Sequence, residues 1–368
     1  MLRIIFSILL ILHGLIHLLG SARAFDLYEL PLLNRSISKP WGLLWLLVSL
    51  LFIITASLFM KRQSGWIQIG FASLILSQLL LVVNWQEAKY GTIINVIFTI
   101  ILVLNFGQHQ FKKKWTTDVL LHLNGAVSNT EILTNSDIQH LPAVVQKYLH
   151  YCQVIDKPKV RNFKVVMEGQ MRNKQRDFFP FRSVQYNFLE GPSRLFFMEG
   201  KMLGLAVPGY HRYVDARASM KISLFGIIPI VNLSGDTLDR TETVTLLNDI
   251  CLMAPGALID ERITWKTLND STVLATFFVD PHRVSAELHF DPQGKLINFV
   301  SYDRTEVGDM VRYPFHTPIH AYTKFDQFNL VSQGDGTWIY PEGAFTYGKF
   351  DLKSIAYNLQ KIDRDADL

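Results

Sequence analysis

The densest run of side chains able to do chemistry is Tyr302-Asp303-Arg304-Thr305-Glu306, continued by Asp309 and Arg312. Along a strand, Tyr302, Arg304 and Glu306 would share a face and Asp303 would point away. If that face is buried, Arg304 is a cation that needs an anion, for example a ligand headgroup. If it is an outer face, Arg304 and Glu306 form a surface pair that contributes almost nothing. Trp338 and Tyr340, just before Pro341, either line a pocket mouth or end a strand in the core. No catalytic residue can be assigned, because GxSxG, HExxH, GxGxxG and the P-loop are all absent. Ser36-Ile37-Ser38-Lys39 has the SxxK spacing but none of its companion motifs.

His13 and His17 lie four apart and so share one helix face. A metal, haem or quinone site would need a second histidine-bearing apolar run, and the other three contain none. One helix cannot clamp a haem iron from both sides. Hydrogen bonding between helices is the simpler role, with Asn95 at matching depth as a partner. His316 and His320 are flanked by Pro314 and Pro318, which forbid a helix. In an extended chain four residues span about 13 Å, too far for one ion. Cys152 and Cys251 sit in apolar patterns without a CxxC and read as buried thiols. No metal or cofactor is implied.

Four uncharged apolar runs dominate the first 107 residues: Ile4–Gly20, Gly42–Met60, Gly65–Asn84 and Gly91–Gly107. About 20 helical residues cross the hydrocarbon core, so these runs predict four transmembrane helices. Arg3, an apolar stretch and Ala22-Arg23-Ala24 also fit a leader cleaved after Ala24. The length of the run and the three that follow favour an uncleaved helix. Phe25–Trp41 and the loop from Trp85 to Tyr90 carry aromatics suited to the headgroup layer. Residues 1–114 hold ten Lys/Arg and three Asp/Glu, a net +7, and the rest is −3. That acidic remainder has no basic stripe for nucleic acid. With the N-terminus inside, inner segments hold six Lys/Arg and outer loops four, which predicts a cytoplasmic C-terminal part.

The expected organisation is a four-helix transmembrane domain (1–114), a helical linker (115–158) and a curved antiparallel β-domain (159–368) with one inserted helix near 236–254. Ser136-Asp137-Ile138-Gln139 matches a capping box. Ile138, Leu141, Val145, Tyr148, Leu149 and Cys152 mark one buried helical face. Arg161–Arg172, Tyr210–Ile222 and His282–Phe290 alternate as half-buried strands, although Arg212 interrupts its face. Ser183–Glu190 and Ser193–Leu203 are apolar on both sides and predict deeper cover. About ten strands are expected in all. Asp239-Arg240-Thr241-Glu242 is a second capping-box pattern, opening the inserted helix. The fold class is therefore α-helical membrane domain plus α+β, with a half-barrel-like sheet wrapped on amphipathic helices and an apolar concave face.

Four stretches resemble an uncharacterised family of bacterial multi-pass membrane proteins, known as a domain of unknown function. They are Leu141–Val154 (LPAVVQKYLHYCQV), Leu247–Trp265 (LNDICLMAPGALIDERITW), Leu288–Arg304 (LHFDPQGKLINFVSYDR) and Gly334–Gly343 (GDGTWIYPEG). His13–Gly20 (HGLIHLLG) is similar to a first span of small bacterial membrane proteins. The resemblance implies a bacterial inner membrane and carries over no catalytic residue. The element order is also similar to half-barrel carriers of lipoproteins, which implies the periplasmic side and opposes the charge count. The expectation is a non-enzymatic, membrane-anchored module with the bilayer as partner and an apolar or lipid-like molecule as ligand. An enzyme built on Tyr302–Glu306, or a redox or metal protein built on His13 and His17, are the alternatives.

Overall fold

The computed structural model describes residues 2–27, 37–63, 65–125, 131–175, 177–202 and 204–362. It forms two compact units, Met1–His109 and Gln110–Leu368.

The first unit is helical: α1 (Leu2–Ala24), α2 (Lys39–Met60), α3 (Trp66–Val83), the single turn α4 (Trp85–Ala88) and the first part of α5 (Gly91–Asn124). Among the described residues, four of these, α1, α2, α3 and α5, are long and apolar enough to cross a membrane. Ala24, the candidate cleavage point, is the last residue of α1. Most of the loop from Phe25 to Trp41 lies outside the described residues. The unit buries several polar side chains beside an apolar core and turns aliphatic ones outward. Ser49, Thr55, Ser73, Ser77, His13, His17 and Asn95 are buried, whereas Ile4, Ile8, Leu12, Ile16, Leu43, Ile75, Ile93 and Ile100 are exposed. Small residues allow close helix approach: a Cβ on Gly20 would meet the Trp45 ring at 2.4 Å, and one on Gly42 would meet Ala24 at 2.3 Å.

The second unit is built on one antiparallel sheet of thirteen strands. They are β1 (Asn162–Met171), β2 (Phe179–Phe188), β3 (Ser193–Met202), β4 (Leu205–Val214), β5 (Arg217–Leu224), β6 (Ile228–Ser234), β7 (Ile263–Asn269), β8 (Thr272–Val279), β9 (His282–Phe290), β10 (Leu296–Ser301), β11 (Phe315–Phe325), β12 (Phe328–Tyr340) and β13 (Gly343–Tyr357). In space the order is β6-β5-β4-β3-β2-β1-β13-β12-β11-β10-β9-β8-β7. Two meanders therefore meet at a central β1–β13 pair. The sheet does not close, and its outermost strands β6 and β7 are linked in sequence by α7 (Asp236–Met253).

α7 touches β4, β5 and β6 of one half and β9, β10 and β12 of the other. In a flat sheet β5 and β9 would stand about 43 Å apart. An 18-residue helix is only about 27 Å long. The sheet must bend around α7. α7 and α6 (Ala143–Tyr151) fill the inner face with Tyr148, Leu149, Val244, Leu247, Ile250 and Cys251. On the outer face, Trp115, Val119 and Leu123 of α5 cover Val184, Tyr186, Leu195, Phe197 and Tyr210. β2 and β3 are thus buried from both sides, although β2 turns the polar side chains Ser183, Gln185 and Asn187 to the inner face.

Several local expectations are corrected. Tyr210–Ile222 is a hairpin and not one strand, because Asp215 and Ala216 turn the chain with φ of 52° and 58°. Arg212 lies on the outer face, where its Nε donates to Asp118 of α5 at 3.2 Å. The Ser136–Gln139 pattern caps no helix: α6 starts at Ala143, and Asp137 instead accepts from the Thr134 backbone N–H at 2.7 Å. Asp239 falls inside α7, which starts at Asp236, and its carboxylate accepts from the Ala218 N–H of β5.

Candidate functional site

β10 ends at Ser301, so Tyr302–Glu306 is not a strand and its side chains diverge. Tyr302 is 59% exposed. Asp303 accepts from the Ser285 N–H at 2.8 Å and pairs with Arg240 of α7. Glu306 folds its own loop, accepting from the backbone N–H groups of Gly308 at 2.9 Å and Asp309 at 3.0 Å. The expected Arg304–Glu306 pair does not form among the described residues.

Arg304 goes elsewhere. Its guanidinium carbon lies 4.0 Å from the Phe315 ring centre and 5.4 Å from that of Trp338. Its buried Nε has no hydrogen-bond partner among the described residues. Phe315 and Trp338 are cross-strand partners on β11 and β12, with ring centres 5.1 Å apart. Ring faces attract the cation through their quadrupole, and an anion would satisfy it further. Trp338 and Tyr340, at the end of β12, belong with Phe315 to one buried aromatic cluster.

Two more cations join this cluster from the β1–β2 connection. Lys174 Nζ stands 3.6 Å over the Tyr340 ring and 3.8 Å from the Asp309 carboxylate. The Arg172 guanidinium lies 4.6 Å from each of Phe178 and Phe345, and its Nε donates to the Thr346 carbonyl at 2.8 Å. Sequence reasoning missed both. The only signal was a basic run from Arg172 to Arg176 followed closely by Phe178, Phe179 and Phe181, which reads as an ordinary hairpin.

A second cluster was not foreseen either. The expected apolar concave face carries an ion network between β2, β3 and α7. Arg194 of β3, its side chain 8% exposed, donates from Nε to Asp249 at 2.7 Å and from an Nη to Glu242 at 3.1 Å. Both acids lie on α7, seven residues and two turns apart, and so share a face. Asp249 also accepts from Gln185 at 2.7 Å and Asn187 at 3.3 Å. His211 of β4 borders this network against Phe196, and burial, then Arg194 and Arg304, push its pKa down to about 3. It is a neutral imidazole at physiological pH. With these groups committed to one another, the network ties α7 to the sheet. Burial raises the pKa of both Cys152 and Cys251, leaving them as inert thiols.

In the first unit, His13 Nε2 is 3.0 Å from the Asn95 Oδ1 and His17 Nε2 is 2.8 Å from the Ser77 hydroxyl. Asn95 in turn donates to Ser77 at 3.0 Å and to Gln78 at 3.1 Å. Both histidines are thus engaged in bonds that link α1 to α3 and α5. Ser77 and Gln78 were not singled out in the sequence because small polar residues are common in apolar helices. Among the described residues no group of three or more His, Cys, Asp or Glu is placed to hold a metal ion.

The fold defined by these elements is an open antiparallel sheet bent around its own helix, with a cation–aromatic cluster near one end. The chain belongs to the Family of unknown function (DUF6544), which it matches over residues 131–350. No curated protein matches it. Among solved structures it is similar to a LolA superfamily protein from Nitrosomonas europaea, at 8% identity and a TM-score of 0.33, over 59% of this chain and 94% of that one. It is also similar to a beta-barrel-like protein of domain of unknown function DUF1849 from Brucella abortus, at 11% identity and a TM-score of 0.17, over 54% of this chain and 98% of that one.

Proposed function

We propose that the chain is a bilayer-embedded, non-enzymatic binding module whose second unit takes an anionic, lipid-like amphiphile. Membrane embedding is supported by a first unit that turns many isoleucines and leucines outward and keeps His13, His17 and Asn95 within. So much apolar surface on helices of that length suits hydrocarbon and not water. The observation that carries the ligand reading is Arg304, a cation faced by Phe315 and Trp338, with a buried Nε lacking a hydrogen-bond partner among the described residues. An anionic headgroup would supply the missing acceptor, and the half-buried rings of Tyr313 and Phe345 nearby offer apolar contact for the acyl chain. The half-barrel-like bend of the sheet would support such a site. The test is native mass spectrometry of the full chain purified in detergent, with fluorescent fatty-acid binding. Wild type retains an anionic lipid, and Arg304→Gln weakens binding about tenfold or more, since hydrogen bonds to charged groups contribute about 1.5–3 kcal/mol. Absence of both co-purifying lipid and fatty-acid binding would overturn the proposal.

A further inference from the structure

From Ile222 to Gly235 the sequence contains no charged residue, yet it forms an exposed hairpin. β6 is an edge strand, and Ile228 is 57% and Ile230 50% exposed, with Ile227 and Pro229 also exposed. The β3–β4 tip lies beside it, since the Phe225 N–H donates to the Ala206 carbonyl at 2.8 Å. That tip carries Leu205, 45% exposed, and the exposed Lys201, while Lys221 stands on β5 just before the uncharged stretch. Apolar side chains at a tip, with lysines set back from it, match a layer whose surface is anionic and whose interior is hydrocarbon.

A second copy of the chain fits the same edge less well. Pro229 has no N–H to offer a pairing strand.

We infer that the β5–β6 tip, with Leu205 beside it, inserts into the interfacial layer of an anionic bilayer. This goes beyond the ligand reading and rests only on its membrane part. It makes the membrane a second contact of the sheet unit, independent of the Arg304 cluster.

The test uses the full chain with Ile228→Cys carrying an environment-sensitive fluorophore, reconstituted into phosphatidylcholine–phosphatidylglycerol vesicles. Cys152 and Cys251 are buried, so labelling is selective. Asp270→Cys, on the exposed β7–β8 turn, is the control. The expected result is blue-shifted emission at Ile228, with quenching by lipids brominated about 5–10 Å below the headgroups, and neither at Asp270. Equal, weak quenching at both positions in a chain that has entered the vesicles overturns this inference alone. Shielding of Ile228 that grows with protein concentration in detergent, without lipid, assigns the tip to a second copy and also overturns it. A chain that stays out of the vesicles overturns the membrane reading and this one together.

Discussion

Arg194 and Arg304 are two arginines of the same unit held by opposite means. Arg194 is clamped by Glu242 and Asp249, whereas Arg304 is held by Phe315 and Trp338. Removing one partner of a buried ion pair leaves the other charge uncompensated, at a cost of about 3–5 kcal/mol. Asp249→Ala is therefore expected to lower unfolding stability by that amount, read as a shift of the denaturant midpoint, because Arg194, Gln185 and Asn187 all lose an acceptor. Asp249→Asn keeps an acceptor oxygen and should cost less. Neither arginine's surroundings were legible in the sequence. Arg194 sits in a strand whose neighbours are apolar on both faces, and its partners lie 48 and 55 residues away. Arg304 was marked by charge density alone, and the pairing with Glu306 that an outer strand face would have given does not form, since the chain leaves the strand at Ser301.

At the scale of elements, periodicity revealed the strands that have one wet face, such as β9, and the buried stripe from Ile138 to Cys152. It failed where the physical cue was absent. The β4–β5 turn uses Asp215 and Ala216 without a glycine, so two strands read as one. α5 hid a different feature. Lys112, Lys113 and Lys114 mark the end of its apolar run, but the helix continues to Asn124. Phe111, Trp115, Val119 and Leu123, spaced by four, form the stripe that covers the outer face of the sheet. Trp115 is 1% exposed and donates to the Leu195 carbonyl at 3.0 Å. Trp115→Ala should cost about 3–5 kcal/mol, as large-to-small core changes do. The expected signature in hydrogen exchange is lost protection in β2 and β3, with α7 unaffected at first.

For the whole molecule, the uncharged runs announced four apolar helices, and their number and order agree with the structure. Alternation announced an antiparallel sheet, though the described residues form thirteen strands where about ten were expected. The lysines and arginines flanking the apolar runs predict a cytoplasmic sheet unit. Green fluorescent protein fused after Leu368 should then fluoresce and alkaline phosphatase at the same point should be silent. The reverse pattern would move the unit to the other side and change the lipids available to Arg304.

The pairing of β1 with β13 sets a condition on how the polypeptide reaches this arrangement. The first strand to leave the ribosome finds its central neighbour only when the last has been synthesised, almost two hundred residues later. Until then the nascent meander presents an open seam of unpaired backbone, the kind of edge that recruits wrong partners. Closing so long a loop is slow. A chain stopped before Gly343 would lose not a peripheral strand but the stitch that joins both halves.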